Sequence, residues 1–197
     1  QYDVTVEDDD WPARMTIASP GAATSRDSPL SWAGLPVFQA DQRVLDRTRI
    51  FSASRKDPMV GAIDMLRTRL RQALTTRGWS RVGITSATKG CGKTFLSCNL
   101  GFSFARDRVF RTLLVDLDLR NPSVAKTLGI KDPGRFAAIL EQAVSPLDGI
   151  KRVGHGLAVM ANATPLKTPA ETMQDPRLIA ALDTVFETLS PNLVLYD

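Results

Sequence analysis

Apolar and polar residues follow different patterns on the two sides of residue 57. From residue 58 onward, short runs of consecutive apolar residues alternate with stretches in which apolar residues recur every three or four positions. Continuous runs are typical of buried strands, whereas the three- to four-residue repeat is typical of amphipathic helices. The predicted strands cover residues 82–84, 112–116, 157–161 and 192–197. The predicted helices run from about Met59 to Gly78, from a glycine-rich turn through Phe104, over 136–143 and over 176–189.

Strands that are apolar on both faces and alternate with helices predict an α/β fold. In such a fold a parallel β-sheet is flanked by helices on both faces. Its ligands bind at the carboxyl ends of the strands. Three polar clusters of this chain directly follow predicted strands, at residues 85–94, at residues 116–120 and at Asp197. We therefore expect these clusters to form one site.

Residues 1–57 lack this regularity. They hold an acidic run at 7–10, several prolines and many Ser, Ala and Gly residues, and no hydrophobic repeat begins before about Val44. This composition predicts a largely irregular arm or linker over 1–57, followed by the α/β domain over 58–197. Trp11, Trp32 and Phe38 are candidates for docking on that domain. Because the first residue is Gln1 rather than Met, we expect a fragment of a longer protein. Because the last residue closes a predicted strand, we expect that a C-terminal part of the domain is missing.

The composition indicates the cellular compartment in which the protein is found. The hydrophobic fraction of 43% is ordinary for a globular protein. No apolar run approaches the roughly 20 residues of a membrane-spanning helix. No secretory signal pattern is visible. The two cysteines have neither the number of a disulfide framework nor the spacing of a metal site. These features predict a cytoplasmic protein.

The net charge of +4 is unevenly distributed. Residues 58–111 contain ten lysine and arginine residues but only two aspartates. Such a segment is compatible with binding of a nucleic acid or an anionic membrane, and also with a phosphate site and solvated helix faces. The charges lack the interleaved aromatic residues of single-strand binders. We therefore favour the phosphate site and expect no nucleic acid partner.

Residues 87–94 (ATKGCGKT) match the phosphate-binding loop pattern, with alanine in place of the first glycine. Two glycines allow backbone angles that turn successive N–H groups toward an anion, and the following helix points its N-terminus at the same place. Lys93 is expected to reach the β- and γ-phosphates of ATP, and the Thr94 hydroxyl to bind Mg²⁺. The predicted nucleotide-binding residues are Thr88, Lys89, Gly90, Cys91, Gly92, Lys93, Thr94, Phe95 and Arg120.

Carboxylates follow two further strands. Asp116 and Asp118 are two residues apart at a strand end, so both point off the same edge of the sheet. Such a pair can hold Mg²⁺ through water and can polarise or deprotonate an attacking hydroxyl. We therefore predict catalytic roles for Asp116, Asp118 and Lys93. Asp197 closes the last strand, and the predicted metal-binding residues are Thr94, Asp116 and Asp197.

With this loop and the segment LLVDLDLRNP at 113–122, the chain resembles the bacterial tyrosine kinases of capsule and exopolysaccharide synthesis. These belong to the same superfamily as the Min/Par-type positioning ATPases. Residues 66–68 (LRT), 99–101 (NLG) and 157–178 are also similar to that family. The similarity extends from about Pro58 to Asp197, and residues 116–122 are its most specific part.

The resemblance implies an ATP-dependent, autophosphorylating protein-tyrosine kinase that regulates capsular or exopolysaccharide synthesis and export. Asp116 then activates the attacking tyrosine hydroxyl, Asp118 positions metal and phosphate, and Asp197 lies in the magnesium shell. Such kinases phosphorylate a C-terminal tyrosine cluster of a neighbouring copy, which implies a homo-oligomer. They are activated by a membrane-embedded polysaccharide co-polymerase or a fused activator segment. This places the protein at the inner face of the cell membrane, with residues 1–57 as the tether.

Two features depart from the family pattern. The helix motif ExxRxxR, which helps to build the family's ring, falls here on Gly61, Asp64 and Arg67, so assembly into a ring stays open. The only tyrosines are Tyr2 and Tyr196, and the sequence stops before the usual place of the family's tyrosine cluster, so the absence of a cluster decides nothing. Two alternatives therefore remain. One is a Min/Par-type positioning or partition ATPase, and the other is a nucleotide-binding regulator without kinase activity.

Overall fold

The computed structural model describes residues 31–53 and 57–197. The predictions for residues 1–30 and 54–56, including the docking of Trp11, lie outside this part of the chain. The strands in these two ranges are β1 (Arg81–Gly83), β2 (Thr112–Val115), β3 (Ile150–Val153), β4 (Leu157–Met160) and β5 (Leu193–Tyr196). The α-helices of the described part are α1 (Gln42–Arg47), α2 (Met59–Arg77), α3 (Lys93–Phe104), α4 (Val124–Leu128), α5 (Phe136–Leu140), α6 (Pro169–Met173) and α7 (Pro176–Leu189).

The strands form one sheet in the order β1-β5-β2-β4-β3. The four predicted strands are confirmed and pair in parallel. The prediction of a parallel sheet needs a correction at one edge, because β3 pairs with β4 in the antiparallel direction. Only a turn at residues 154–156 connects these two strands, and a parallel pair would need a crossover of a dozen or more residues.

Helices cover both faces of the sheet, as the apolar strands predicted. Leu114 packs into a core with α2 and α3 on one face, while its neighbours Leu113 and Val115 pack into a second core with α5 and α7 on the other face. Successive residues of a strand point to opposite faces. Because helices cover both faces here, all three side chains are buried. In the described part of the chain, no helix is long and apolar enough to cross a membrane.

The described part of the N-terminal arm packs against the domain. Trp32 is buried in the core beneath α5 and α7, and the partly buried Phe38 contacts the core on the α3 side, so the docking predicted for these two residues is confirmed. The Phe38 N–H donates to the Arg152 carbonyl at 2.8 Å, which places this segment along the outer edge of β3. Leu45, in the short helix α1, is also buried. The boundary at residue 57 stays a prediction.

Candidate nucleotide-binding site

The predicted phosphate loop connects β1 to α3. Gly90 and Gly92 have φ angles of 80° and 87°, in the left-handed region that strains any residue with a side chain. The loop therefore needs glycine at both positions. Helix α3 begins at Lys93, and its N-cap residue Gly92 forms no side-chain cap. The loop leads directly into the N-terminus of α3, as the sequence predicted, and the binding of an anion by the first N–H groups of this helix stays a prediction.

The hydroxyl of Thr94 lies at the carboxyl end of β5. It donates to Asp197 Oδ2 at 2.7 Å and lies 2.7 Å from the Ser123 hydroxyl. The other oxygen of Asp197 accepts from the Ser97 hydroxyl at 2.8 Å. Asp197 is only 6% exposed. The structure therefore brings together the predicted metal ligands Thr94 and Asp197.

Asp116 lies beside them, at the end of β2. The β2–β5 ladder continues past the strand ends, because the Asp197 N–H donates to the Val115 carbonyl at 2.9 Å. The Asp116 side chain is fully buried, and backbone N–H groups hold it in place. Its Oδ2 accepts from Ser123 at 2.9 Å and from Val124 at 3.0 Å, and its Oδ1 accepts from Asp118 at 3.2 Å.

This environment changes the acidity of Asp116. Its pKa is raised to about 7, chiefly because burial penalises the charged form. The N–H group of Val124 acts in the opposite direction, and the nearby Asp197 carboxylate raises the pKa further. Among the described residues, neither Asp116 nor Asp197 forms an ion pair with lysine or arginine.

A pH-dependent stability follows from this pKa. Because the folded-state value lies above that of an exposed aspartate, the contribution of Asp116 to stability is fully present below about pH 4 and is lost as the pH rises to about 7. The wild type should therefore lose stability relative to Asp116→Asn as the pH rises. We expect the difference in melting temperature, Asp116→Asn minus wild type and both without nucleotide, to increase by roughly 5 °C from about pH 5 to pH 8. The exposed Asp132→Asn is the control and should show no such trend. A constant difference for Asp116→Asn would contradict the raised pKa.

Two lysines connect the phosphate loop to the segment after β2. The Lys93 ammonium lies 4.0 Å from Asp118 Oδ2, and Lys89 Nζ donates to Asn121 Oδ1 at 3.4 Å. Asp118 and Asn121 are themselves joined, because the Asn121 N–H donates to Asp118 Oδ1 at 2.9 Å. The predicted catalytic residues Lys93, Asp118 and Asp116 therefore lie at one edge of the sheet.

The other predicted nucleotide-binding residues differ in their surroundings. Thr88 and Cys91 are exposed, with the threonine Oγ1 2.7 Å from the Cys91 Sγ. The ring of Phe95 meets the ring of Phe51 edge-on, with centroids 6.1 Å apart, so this side chain packs against the N-terminal arm. Arg120 is exposed beside the catalytic segment. Their roles in binding a nucleotide stay predictions.

Three polar residues of the site were not predicted from the sequence: Ser97, Ser123 and Asn121. Ser97 follows Thr94 by three residues, which places both hydroxyls on one face of α3, and this spacing could have identified it. Ser123 directly precedes α4, a position where serine is a common cap. Here its hydroxyl contacts Thr94 instead of capping the helix. Asn121 carries no comparable signal.

Comparison with known families decides which kind of nucleotide site this is. Residues 82–194 match the model described as the CobQ/CobB/MinD/ParA nucleotide binding domain. The chain belongs to this nucleotide-binding family. The matched region runs from β1 to β5 and includes every predicted site residue except Asp197.

Two curated relatives of this chain carry the name of a tyrosine kinase. The chain is 33% identical over 135 residues, 65% of its length, to a protein named tyrosine-protein kinase EpsB from Ralstonia solanacearum. The EpsB protein of Ralstonia nicotianae matches equally. The matched region is 17% of each of these proteins, so the chain spans about a sixth of the length of the curated relatives it matches.

Solved structures agree with this placement. The kinase domain of the Escherichia coli tyrosine kinase ETK superposes with a TM-score of 0.67 at 23% identity, covering 84% of this chain and 69% of that one. The VpsO kinase domain superposes with a TM-score of 0.58 at 26% identity, covering 77% of this chain and 70% of that one. The α/β fold and the resemblance to bacterial tyrosine kinases, both predicted from the sequence, are confirmed.

Proposed function

We propose that this chain is the catalytic domain of an ATP-dependent protein-tyrosine kinase. The observation that carries the proposal is the position of Asp116. Three backbone N–H groups hold this fully buried carboxyl beside Asp197. Both aspartates lie at the carboxyl edge of the sheet, where the phosphate loop follows β1. The kinase names of the relatives and structural neighbours agree with this chemistry.

ATP and Mg²⁺ fit the residues of the site. The phosphate loop and the N-terminus of α3 supply N–H groups for the phosphates, and Lys93 supplies a charge-assisted contact to the β- and γ-phosphates. The oxygens of Thr94, Asp116 and Asp197 are the hard donors that Mg²⁺ prefers. When bound, Mg²⁺ would neutralise charge on the phosphates and on the two buried carboxylates.

Asp116 acts as the base in the proposed transfer. Its Oδ2 accepts two N–H groups, whereas its Oδ1 accepts, from the described residues, only the N–H of Asp118, so Oδ1 has a lone pair left for a proton. The tyrosine oxygen bonds to the γ-phosphorus of ATP, and the bond from that phosphorus to the β–γ bridging oxygen breaks. ADP leaves with the electron pair, and the hydroxyl proton passes to Asp116. Lys93, held near Asp118, stabilises negative charge on the transferred group.

The wider role follows the relatives and is part of the proposal. We place the kinase in the control of capsular or exopolysaccharide synthesis and export. A membrane-embedded polysaccharide co-polymerase or an activator segment of the same protein would hold it at the inner face of the cell membrane. Homo-oligomers would then bring the acceptor tyrosines of one copy to the site of another.

The proposal is tested by following the γ-phosphate of radioactive ATP in the presence of a glutamate–tyrosine copolymer. We expect label on the tyrosines of the copolymer, identified by phosphoamino-acid analysis. Release of free phosphate without labelled tyrosine would favour a positioning ATPase instead. Nucleotide binding without either product would favour a regulator.

A further inference from the structure

A groove of about 550 Å³ lies on the opposite side of the sheet from α3. Its walls are α5, the loop that follows β4, α6 and the start of α7. Helices α5 and α7 belong to the second core, whereas the phosphate-binding helix α3 belongs to the first. Because the loop at 161–168 follows the carboxyl end of β4, the groove opens at the same edge of the sheet as the nucleotide site.

One wall of the groove is joined directly to the catalytic segment. The N–H of Leu166 donates to the carbonyl of Leu119 at 2.9 Å, and Leu119 lies between Asp118 and Arg120 in the chain. The Leu119 side chain is buried in the second core, and Leu166 and Leu140 of the groove pack against that same core. The groove therefore begins where the segment carrying Asp116 and Asp118 passes to the other face of the sheet.

Phosphoryl transfer needs this kind of arrangement. The attacking and leaving oxygens lie roughly in line on the transferred phosphorus, so the acceptor must approach from the side opposite ADP. The phosphate loop leads into α3 on one face of the sheet, and the Leu166–Leu119 hydrogen bond joins the segment of Asp116 and Asp118 to the groove on the other face. An acceptor held in the groove would therefore approach the two carboxylates from the face opposite α3.

We propose that this groove binds the polypeptide segment that carries the acceptor tyrosine. This inference rests on the proposed kinase function and names the substrate-binding part of the same site. The volume lies within the range of about 300–1,000 Å³ that is usual for ligand sites, and it accommodates an aromatic side chain with its neighbouring residues. Leu140, Pro165 and Leu166 supply apolar contact, while the exposed Lys167 and Glu171 supply charges of both signs for an extended peptide.

A neighbouring groove provides a matched control. It has a volume of about 360 Å³ and is lined by residues of α5 and α7 and of the segment between them, including Ala180. Arg177 lines both grooves, donates to the Leu140 carbonyl at 3.1 Å and pairs with Asp175. The smaller groove includes none of residues 164–168, which join the larger groove to the catalytic segment.

The test compares Ala137→Trp in the larger groove with Ala180→Trp in the smaller one. Both alanines are exposed on helices, so the indole fills groove space without entering a core. For Ala137→Trp we expect the KM for the glutamate–tyrosine copolymer to rise by about tenfold or more, with kcat and the dissociation constant for ATP nearly unchanged. Ala180→Trp should behave as the wild type does. Thr164→Trp, on the opposite wall, should repeat the effect.

The outcomes separate this inference from the proposed function. An unchanged KM for the copolymer in both Ala137→Trp and Thr164→Trp, with ATP binding intact, would overturn the acceptor groove and leave the kinase standing. An equal rise in KM for Ala180→Trp would also overturn it, since the effect would not belong to the larger groove. No tyrosine label with the wild type would contradict the kinase itself, and the acceptor groove with it.

Discussion

Replacing Asp116 with asparagine is expected to lower the rate of phosphoryl transfer to tyrosine by about 10²–10⁴-fold while ATP still binds. Asparagine keeps an oxygen for the N–H groups of Ser123 and Val124 and loses the longer contact with the Asp118 N–H, so two of the three bonds still hold the segment after β2. It has no carboxylate to take the proton of the acceptor hydroxyl. The measurement is the initial rate of copolymer labelling, together with ATP affinity by calorimetry.

The matched control for this substitution is Asp132→Asn. The side chain of Asp132 is 97% exposed and lies outside the site, so this change should affect neither rate nor affinity. Loss of ATP binding in Asp116→Asn equal to its loss of activity would show that Asp116 serves the nucleotide rather than the acceptor. Transfer at the wild-type rate would remove Asp116 from the mechanism altogether.

Replacing Lys93 with alanine is expected to weaken ATP binding by about 10–100-fold, because the change deletes a charge-assisted contact to phosphate. Transfer should fall with binding. We expect a large loss of ATP affinity because the Lys93 ammonium lies at the N-terminus of α3, near Asp118, where the phosphates would bind. A calorimetric titration of each protein with ATP in the presence of Mg²⁺ measures the change in affinity.

Lys126→Ala controls for the loss of one positive charge. Lys126 is exposed on α4, and its substitution should leave ATP affinity within the error of the measurement. If Lys93→Ala bound ATP as tightly as Lys126→Ala does, the loop at 87–94 would not hold the phosphates in the way we propose.

The sequence predicted the elements that carry the site because their signals are local. The phosphate loop needs glycines at positive φ and a helix directly after it, and the chain shows both at Gly90, Gly92 and Lys93. Helix α7 was predicted over 176–189, and the residue before it, Asp175, is its N-cap, because its side chain accepts from the Arg177 N–H. Buried parallel strands such as β2 read as short apolar runs, so their carboxyl ends could be located.

Elements at the periphery were missed for physical reasons. Strand β3 has two basic residues between Ile150 and Val153, because it lies near the sheet edge and only part of it is buried. Helices α1, α4 and α6 have five or six residues each, too few to show a repeat of 3.6 positions. Their positions depend on tertiary packing, as for Leu45 in the core beside α3.

The contacts within the site were predictable only in part. The sequence indicated that Thr94, Asp116 and Asp197 meet, because three strand ends share an edge. It did not indicate that Ser123 completes this cluster or that Leu166 joins the loop after β4 to the catalytic segment. Both contacts link residues far apart along the chain, and no local pattern records them.

The most direct measurement of the central claim is the fate of the γ-phosphate of radioactive ATP with wild-type protein and Asp116→Asn side by side. The kinase account predicts label on tyrosine with the wild type and almost none with Asp116→Asn, although both bind ATP. Free phosphate as the sole product with the wild type, or equal tyrosine labelling by the two proteins, would contradict it.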